Sequence, residues 1–314
     1  MKVVALAGGI GAGKFLRGLA RVVPGEDLTV VINVADDVVV HGLHVSPDPD
    51  SVVYWLGEVF DRQRGWGRRD ETFRATEELR AFGAPDAWFN LGDLDLATHL
   101  FRTDQLARGA PLSTVTASLA ARFGVRARLL PASDDRIETR IECVDHEDGA
   151  PLDLHFQDYW VRRRAADPVK DVRYEGASSA RPAPGVLDAI AAADAIVCCP
   201  SNPVVSIGPI LAVPGILEAV AARRDRTVGV SGIVGGRPVA GMADKLMPAV
   251  GIEVSAAGVA ERYAEWLSAW LIDDVDAGLL PRIRALGLRV AATDTIMTDD
   301  ARAEAVARAA LDLL

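Results

Sequence analysis

Two short apolar runs with a glycine-rich turn and a helical pattern between them constrain this sequence more than any other feature. Residues 2–9 read KVVALAGG, a β-branched run that ends in glycines, and residues 28–33 read LTVVIN. Between them, KFLRGLARVV carries apolar residues at helical spacing. Strand, helix and strand in such a short stretch form a βαβ unit, which predicts a parallel sheet covered by helices.

The rest of the 314-residue chain continues this alternation with one interruption. Helical patterns are predicted near 51–63, 72–82, 91–109 and 112–125. Short alternating runs then predict a hairpin of Ile137–Val144 with Leu152–Phe156, before the α/β alternation resumes near residue 185. We therefore predict an α/β fold: a Rossmann-like three-layer core with a mostly parallel sheet (1–126 and 185–314), and a smaller α+β insertion containing antiparallel strands (127–184).

Charge and composition exclude several classes of protein. The net charge is −10 and no segment is dense in lysine and arginine, so we expect no binding to nucleic acid. The three cysteines, Cys143, Cys198 and Cys199, match neither a disulfide framework nor a zinc spacing. No apolar run reaches membrane-spanning length and no signal peptide precedes the first strand, so we expect no membrane association and a cytoplasmic location. The apolar segment RYAEWLSAW favours a homodimer.

The glycine-rich segment GGIGAGKF, residues 8–15, suits an anionic ligand. A turn between a strand and a helix offers backbone N–H groups and a helix N-terminus to a phosphate. The spacing is neither a P-loop nor G-x-G-x-x-G, and a tight turn that merely begins the helix is the alternative. The candidate phosphate-binding residues here are Gly8, Gly9, Gly11 and Lys14.

Four aspartates follow the second apolar run: Asp36, Asp37, Asp48 and Asp50. Ligands of open α/β sheets bind at the carboxyl ends of strands, and the first two aspartates lie just past such an end. The prolines of SPDPD favour an extended segment with no helix before Ser51. We expect no basic partner nearby, so a Mg²⁺ ion held by these four carboxylates would relieve their repulsion. Solvated loop charges are the alternative, and Asp50 can instead cap the following helix.

Two further stretches carry polar residues at expected ligand-facing positions. In NLGDLDLATHLFRT, residues 90–103, the sequence leaves three interpretations of His99 open: a ligand contact, a buried hydrogen-bonded residue or a surface residue. In CPSNPVVSIGPIL, residues 199–211, Ser201 and Asn202 follow a predicted strand. Their small polar side chains suit a phosphate or a guanine edge, and ordinary turn chemistry is the alternative.

Long blocks of the sequence resemble one family over nearly the whole chain. They are AGGIGAGKFLRGL, NVADDVVVHGLHVSPDPDSVVY, LGDLDLATH, HFQDYWV, PSNPVVSIGPIL and GMADKLMPAVGIEVSAAGVAE. These blocks are similar, in this order, to the 2-phospho-L-lactate transferase family (CofD, called FbiA in actinobacteria). The family fold is a Rossmann-like core with a smaller insertion.

The resemblance implies a Mg²⁺-dependent transferase of coenzyme F-420 biosynthesis. The donor would be lactyl- or enolpyruvyl-2-diphospho-5′-guanosine, with a related acid such as glycerate as a further option. The acceptor would be the deazaflavin Fo (7,8-didemethyl-8-hydroxy-5-deazariboflavin), and the products GMP and (dehydro) coenzyme F-420-0.

The resemblance also implies roles for particular residues. Asp50 and Asn90 match positions that contact Fo, and His99 is added to them as a further candidate for binding Fo. Asp36 matches a metal-site residue, and Asp50 and Asp36 are the expected catalytic residues. The guanosine of the donor would lie along Gly8–Gly11 and Ser201–Asn202.

One departure from the family and two alternatives stay open. Leu94 stands where many members have an arginine, which Lys14 or Arg102 would have to replace if that arginine binds a phosphate. The first alternative is a nucleotide-sugar-binding regulator from a related Rossmann-like group. The second is an NAD-binding dehydrogenase, which the glycine spacing and the lack of an evident catalytic Lys/Tyr or His pair disfavour.

Overall fold

Strands and helices alternate along the chain in the computed structural model, which describes residues 1–314. The strands are β1 (Val3–Ala7), β2 (Leu28–Ile32), β3 (Val38–Val40), β4 (Leu43–Val45), β5 (Arg128–Pro131), β6 (Glu138–Val144), β7 (Pro151–His155), β8 (Val169–Glu175), β9 (Ala195–Cys198), β10 (Thr227–Val230), β11 (Ile233–Val234), β12 (Arg237–Pro238), β13 (Ala269–Asp273) and β14 (Arg289–Thr293). The helices are α1 (Gly9–Val22), α2 (Pro47–Leu56), α3 (Arg74–Ala81), α4 (Asp93–Ala107), α5 (Leu112–Arg122), α6 (Val186–Ala192), α7 (Gly208–Ala212), α8 (Ile216–Ala221), α9 (Ala243–Leu246), α10 (Ala256–Tyr263), α11 (Leu280–Ala285) and α12 (Asp300–Leu311).

A seven-stranded parallel sheet organises the molecule. Its strand order is β14-β13-β10-β9-β1-β2-β5, and every pairing in it is parallel. From β1 the chain adds β2 and β5 on one side, and later returns to place β9 on the other side. Strand order therefore reverses beside β1, and such a switch point opens a crevice at the carboxyl ends of the strands.

Both faces of this sheet are covered by apolar cores. Successive residues of a strand point to opposite faces. In β1, Val4 and Leu6 join the core formed with α6 to α11, whereas Val3, Ala5 and Ala7 join the core formed with α1, α2, α5 and α12. A strand buried on both faces must be apolar at every position, which explains the run VVALA. The predicted three-layer α/β fold is confirmed.

The predicted insertion contains a three-stranded antiparallel sheet in the order β7-β6-β8. The predicted hairpin is confirmed, because β6 pairs with β7 in a register that sets Ile141 opposite Leu154. Strand β5 pairs with β2 in the central sheet, which places Arg128–Pro131 with the core rather than with residues 127–184. The division into two domains otherwise stays a prediction.

Two helices begin earlier than the sequence predicts. Helix α2 begins at Pro47 rather than at Ser51. Proline at a first helical position has the required φ, and no N–H in the first turn needs an intrahelical partner, so Pro47 and Pro49 begin this helix instead of preventing it. Helix α1 likewise begins at Gly9 and includes most of the glycine-rich segment.

The remaining general predictions have mixed outcomes. All three cysteines are buried and free. None of the helices combines the length and apolar character that a bilayer crossing requires. The segment RYAEWLSAW does not offer its rings to a second chain, because Tyr263, Trp266 and Trp270 are buried in the chain's own core. The homodimer therefore stays a prediction without support from that segment.

Candidate active site at the carboxyl edge of the sheet

Three segments that are far apart in sequence meet where β1, β2 and β9 end. Gly8 follows β1, Asn33 follows β2 and Ser201 lies three residues after β9. The Ser201 hydroxyl accepts a hydrogen bond from the Gly8 backbone N–H (3.3 Å) and donates one to the Gly8 carbonyl (3.0 Å). The structure thus joins the two segments predicted to bind the nucleotide.

The glycines of the first segment are required by close packing. A Cβ on Gly8 would lie 2.5 Å from Cβ of Ser206 and 2.9 Å from Oδ2 of Asp48. Gly9 has φ +70°, a region that L-residues rarely adopt. A Cβ on Gly11 would lie 2.8 Å from the Pro200 carbonyl oxygen. The glycines therefore bring bare backbone against the aspartate segment and the β9 loop.

The N-terminus of α1 has features that suit an anionic ligand. Its N-cap residue, Gly8, provides no side-chain hydrogen bond, and the first turn contains no acidic residue. No side chain of α1 therefore accepts hydrogen bonds from the N–H groups of that turn, and no negative charge on α1 offsets the positive end of the helix dipole. A phosphate at this point would supply the missing acceptors.

Asp48 is the aspartate that lies against this turn. It is buried, and its Oδ2 accepts a hydrogen bond from the side-chain amide of Asn33 (2.9 Å). The same amide donates to the Val205 carbonyl (3.2 Å), and the Asn33 oxygen accepts from the Ala35 N–H (3.0 Å). Burial raises the pKa of Asp48 to about 7, although the hydrogen bond from Asn33 opposes that rise.

Asp36 and Asp37 lie close enough to Asp48 for their charges to interact. Burial and the neighbouring charge of Asp48 raise the pKa of Asp36 well above its ordinary value. Oδ1 of Asp36 and Oδ1 of Asp37 are both buried without a hydrogen-bond partner. Two unpartnered buried carboxylate oxygens beside a third carboxylate form an electron-rich group that a cation would stabilise.

The β3–β4 hairpin fixes Asp37. Its Oδ2 accepts hydrogen bonds from the Ser46 hydroxyl (2.6 Å) and from Nε2 of His44 (2.8 Å). Nε2 of His155, at the end of β7, lies 3.1 Å from the Asp37 main-chain carbonyl oxygen. The antiparallel sheet is therefore attached to the aspartate segment through His155, and also through the Thr139 N–H, which donates to the Ala35 carbonyl (2.7 Å).

Asp50 faces a different group of residues. Its Oδ1 accepts a hydrogen bond from the Arg102 guanidinium, which is 1% exposed. The same guanidinium donates to the His44 carbonyl (3.2 Å) and contacts Nδ1 of His99 (3.2 Å). The expectation that the aspartates lack a basic partner is therefore wrong for Asp50. Because His44 also bonds Asp37, it links the two groups of carboxylates.

The oxygen donors present suit Mg²⁺, which prefers carboxylate oxygens and uses only one or two of them together with phosphates. Oδ1 of Asp36 and Oδ1 of Asp37, both buried without a hydrogen-bond partner, are the oxygens that would hold such an ion. The one group of three side chains whose ligand atoms converge within 4.8 Å is elsewhere, at Asp145, His146 and Asp167. There the Arg163 guanidinium already forms ion pairs with both Asp145 and Asp167.

The other predicted site residues form no hydrogen bond with the four aspartates, apart from Arg102. Lys14 is exposed on α1 and forms no ion pair, whereas Arg102 is buried and paired with Asp50, so a replacement by Lys14 of the arginine missing at Leu94 stays a prediction. The Asn202 side-chain oxygen caps the following turn by accepting from the N–H groups of Val204 (2.9 Å) and Val205 (3.3 Å). Asn90 is half-buried next to Leu91, which packs against the β3–β4 hairpin.

Two residues that line the site were not among the sequence candidates, and a third, Arg102, was considered only as a phosphate ligand. Asn33 donates a hydrogen bond to Asp48, and Ser206 packs against Gly8. Arg102 donates a hydrogen bond to Asp50. Asn33 directly follows a predicted strand, which is a signal that was available in the sequence. Ser206 and Arg102 lie inside helical turns, and only the tertiary packing reveals that they face the site.

Comparisons with known proteins extend over the whole chain. The family model described as 2-phospho-L-lactate transferase CofD matches residues 3–311. A phosphoenolpyruvate transferase of Streptomyces griseus is 51% identical over 314 residues, which cover 100% of this chain and 98% of that protein. Proteins of the same name from Streptomyces avermitilis and Mycolicibacterium smegmatis are 53% and 42% identical, with the same coverage.

Solved structures show a similar fold. A crystal structure of a UPF0052-family protein from Bacillus halodurans matches with a TM-score of 0.62 and 20% identity, covering 99% of this chain and 98% of the other. A second structure of a Bacillus halodurans protein gives the same TM-score and identity. At this level of identity the similarity concerns the fold alone.

Proposed function

The chain belongs to the 2-phospho-L-lactate transferase (CofD) family, a family of transferases, and we propose that it moves a phospho-acid group from a guanylyl diphosphate donor to the deazaflavin Fo. The observation that carries this proposal is the match of residues 3–311 to the family, together with about half of all positions being identical in relatives named phosphoenolpyruvate transferase. Those names favour enolpyruvate over lactate as the transferred acid. The products would be GMP and (dehydro) coenzyme F-420-0.

The geometry supports a diphosphate at the start of α1. Phosphoryl transfer depends mainly on positioning and on stabilising charge. The first turn of α1 has no side-chain cap and no acidic residue, so its N–H groups would donate to phosphate oxygens. Ser201, hydrogen-bonded to Gly8, borders the same turn and would lie beside the guanosine.

The carboxylates next to that turn would hold Mg²⁺. Asp36, Asp37 and Asp48 supply the oxygens, and burial keeps Asp36 and Asp48 from ionising fully without a counter-charge. The ion, when bound, would supply positive charge against the diphosphate. Asn33 orients Asp48 toward the glycine turn, so this side chain would keep one carboxylate in place beside the donor.

The acceptor would lie on the side of Asp50. The terminal ribityl hydroxyl of Fo would form a bond to the phosphorus that carries the acid, while the bond from that phosphorus to the oxygen of the GMP phosphate breaks. The hydroxyl proton passes to a base, and GMP leaves as an anion. Oδ2 of Asp50 is buried without a partner and would orient the hydroxyl, with His99 and Asn90 as further contacts.

Product analysis tests the proposal directly. Purified protein, Fo, Mg²⁺ and each guanylyl donor should release GMP in equal amount to a phosphodiester-extended deazaflavin of the mass expected for that acid. We expect the enolpyruvyl donor to give the highest kcat/KM. A reaction with Asp50→Asn protein, whose side chain keeps its volume, is the matched control and should be slower by roughly 100-fold. No product with any of the three acids would contradict the assignment.

A further inference from the structure

Arg102 has an unusual environment for a charged side chain. It lies on α4, is 1% exposed and is among the largest fully buried side chains of the molecule. Buried charges are found where they are paired, and this one meets three acceptors from three segments: Oδ1 of Asp50 on α2, the main-chain carbonyl of His44, and Nδ1 of His99 one turn earlier on α4.

The contact with His99 determines which imidazole nitrogen carries the proton. A guanidinium only donates hydrogen bonds, so Nδ1 of His99, at 3.2 Å, must be the accepting nitrogen. The proton of the neutral ring is then on Nε2. That Nε2–H is buried without a hydrogen-bond partner, although His99 is 2% exposed.

The same cluster contains an unsatisfied acceptor. Oδ2 of Asp50 is buried without a partner and lies 3.7 Å from Nδ1 of His99. Leaving two buried polar groups unpaired is unfavourable, so such groups call for a ligand or another explanation. One donor and one acceptor on neighbouring side chains match an alcohol, whose hydroxyl accepts one hydrogen bond and donates another.

We propose that Arg102 is a positioning residue that fixes Asp50 through one nitrogen and His99 through the other, so that Asp50 Oδ2 and His99 Nε2–H together receive the hydroxyl of the acceptor. This inference rests on the proposed function for the identity of the acceptor. It assigns Arg102 no contact with either substrate. The role favours a guanidinium, because its rigid plane sets one terminal nitrogen against His99 and the other against Asp50, whereas a lysine would have to reach both from one ammonium nitrogen on a flexible chain.

Nuclear magnetic resonance of the wild-type protein tests the first step without any substrate. Two-bond ¹⁵N–¹H correlations of the imidazoles, with His99 assigned by its disappearance in His99→Gln protein, should show His99 protonated on Nε2 only. In Arg102→Lys protein the same signals should shift toward a mixture of both tautomers. A wild-type His99 protonated on Nδ1, or an unchanged pattern in the lysine variant, would overturn the inference.

Kinetics test the second step. Arg102→Lys should lower kcat by roughly tenfold or more while leaving KM for the guanylyl donor unchanged, because the acceptor hydroxyl alone is misplaced. The control is Arg108→Lys, an exposed position directly after the same helix, which should behave like wild type. If Arg102→Lys raised KM for the guanylyl donor by the same factor by which it lowered kcat, the variant would have a general structural defect, and this result would count against a positioning role.

A second pair of variants covers the case in which the lysine protein does not fold. His99→Gln keeps an N–H donor near the position of Nε2, and His99→Phe removes it, whereas both keep the pair of Arg102 with Asp50. The glutamine protein should retain a clearly higher kcat than the phenylalanine protein, and equal kcat values in the two would overturn the inference. If wild-type protein transfers nothing, the proposed function fails. The nuclear magnetic resonance experiment needs no substrate, so it still tests whether Arg102 fixes the tautomer of His99.

Discussion

The side-chain amide of Asn33 donates a hydrogen bond to Oδ2 of Asp48 across 2.9 Å, and both residues are buried. Asn33 directly follows β2, and Asp48 lies in the first turn of α2. The bond therefore connects the sheet edge to the helix that carries two of the four aspartates. It also stabilises the ionised form of Asp48 against the effect of burial.

Replacing Asn33 with alanine should move the pH dependence of transfer upward. Loss of the hydrogen bond raises the pKa of Asp48, which burial already raises to about 7, so a higher pH is needed to ionise it. We expect the rising limb of kcat/KM against pH to shift upward by about one pH unit, the size of one hydrogen bond to a charged group. Ser118→Ala, on the exposed side of α5, serves as control. A rising limb that stays in place would show that Asp48 does not limit the reaction.

Asp95 should make the protein less stable at alkaline pH. It is buried with one oxygen unpartnered, and burial raises its pKa from 3.8 to about 7. A carboxyl with a raised folded-state pKa favours folding in full below its ordinary pKa, and this contribution is lost as the pH rises through 7. Asp95→Asn should therefore raise the free energy of unfolding at pH 8 by about 1–4 kcal/mol and have little effect near pH 4.

Urea unfolding at pH 5 and pH 8 measures this difference for Asp95→Asn and for the exposed control Asp104→Asn. A variant that gains more stability at pH 5 than at pH 8 would have the wrong sign, and the interpretation of the buried carboxyl would be incorrect.

Gly18→Ala should lower the stability of the fold. Helix α1 packs so closely on α12 that a Cβ on Gly18 would lie 2.1 Å from the carbonyl carbon of Ala303. We expect this overpacking to lower the free energy of unfolding by about 1–3 kcal/mol. Gly278→Ala is the matched control, because nothing lies within 4 Å of its added Cβ. Equal midpoints of urea unfolding for the two variants would be inconsistent with the close approach of the helices.

Asp50→Ala should lower stability as well as activity. It leaves the buried guanidinium of Arg102 without its counter-ion, which costs about 3–5 kcal/mol in comparable buried pairs. Adding Arg102→Met removes the unpaired charge, and the double variant should recover more than half of the lost free energy of unfolding. Urea titrations of the two single variants and the double variant complete the cycle. Additive losses would mean that the two side chains do not interact.

Much of the fold follows from local pattern in the sequence. The run VVALA has no polar position, which required a strand covered on both faces, and the alternating run of β6 predicted the antiparallel hairpin. Helix boundaries were less accessible. Pro47 and Pro49 were interpreted as opposing a helix, although proline is compatible with a first turn, and only the packing of α2 against α1 decides between the two.

The sequence predicts those residues of the candidate site that directly follow central strands. Gly8, Asp36 and Ser201 each come shortly after a central strand, and the parallel sheet brings them to one edge. Arg102 was not recognised as the partner of Asp50 because 52 residues separate the two, and nothing in local pattern predicts that α4 buries an arginine against α2. Long-range pairs of this kind depend on how the helices pack.

Helix α2 presents Asp48 to the glycine turn and Asp50 to Arg102 from within a single turn. In the proposed function, two residues of helical backbone would therefore set the separation between the phosphate end of one substrate and the alcohol of the other. Inserting or deleting one residue between Asp48 and Asp50 would turn one carboxylate by about 100° around the helix axis relative to the other, so natural variation in chain length should avoid this turn.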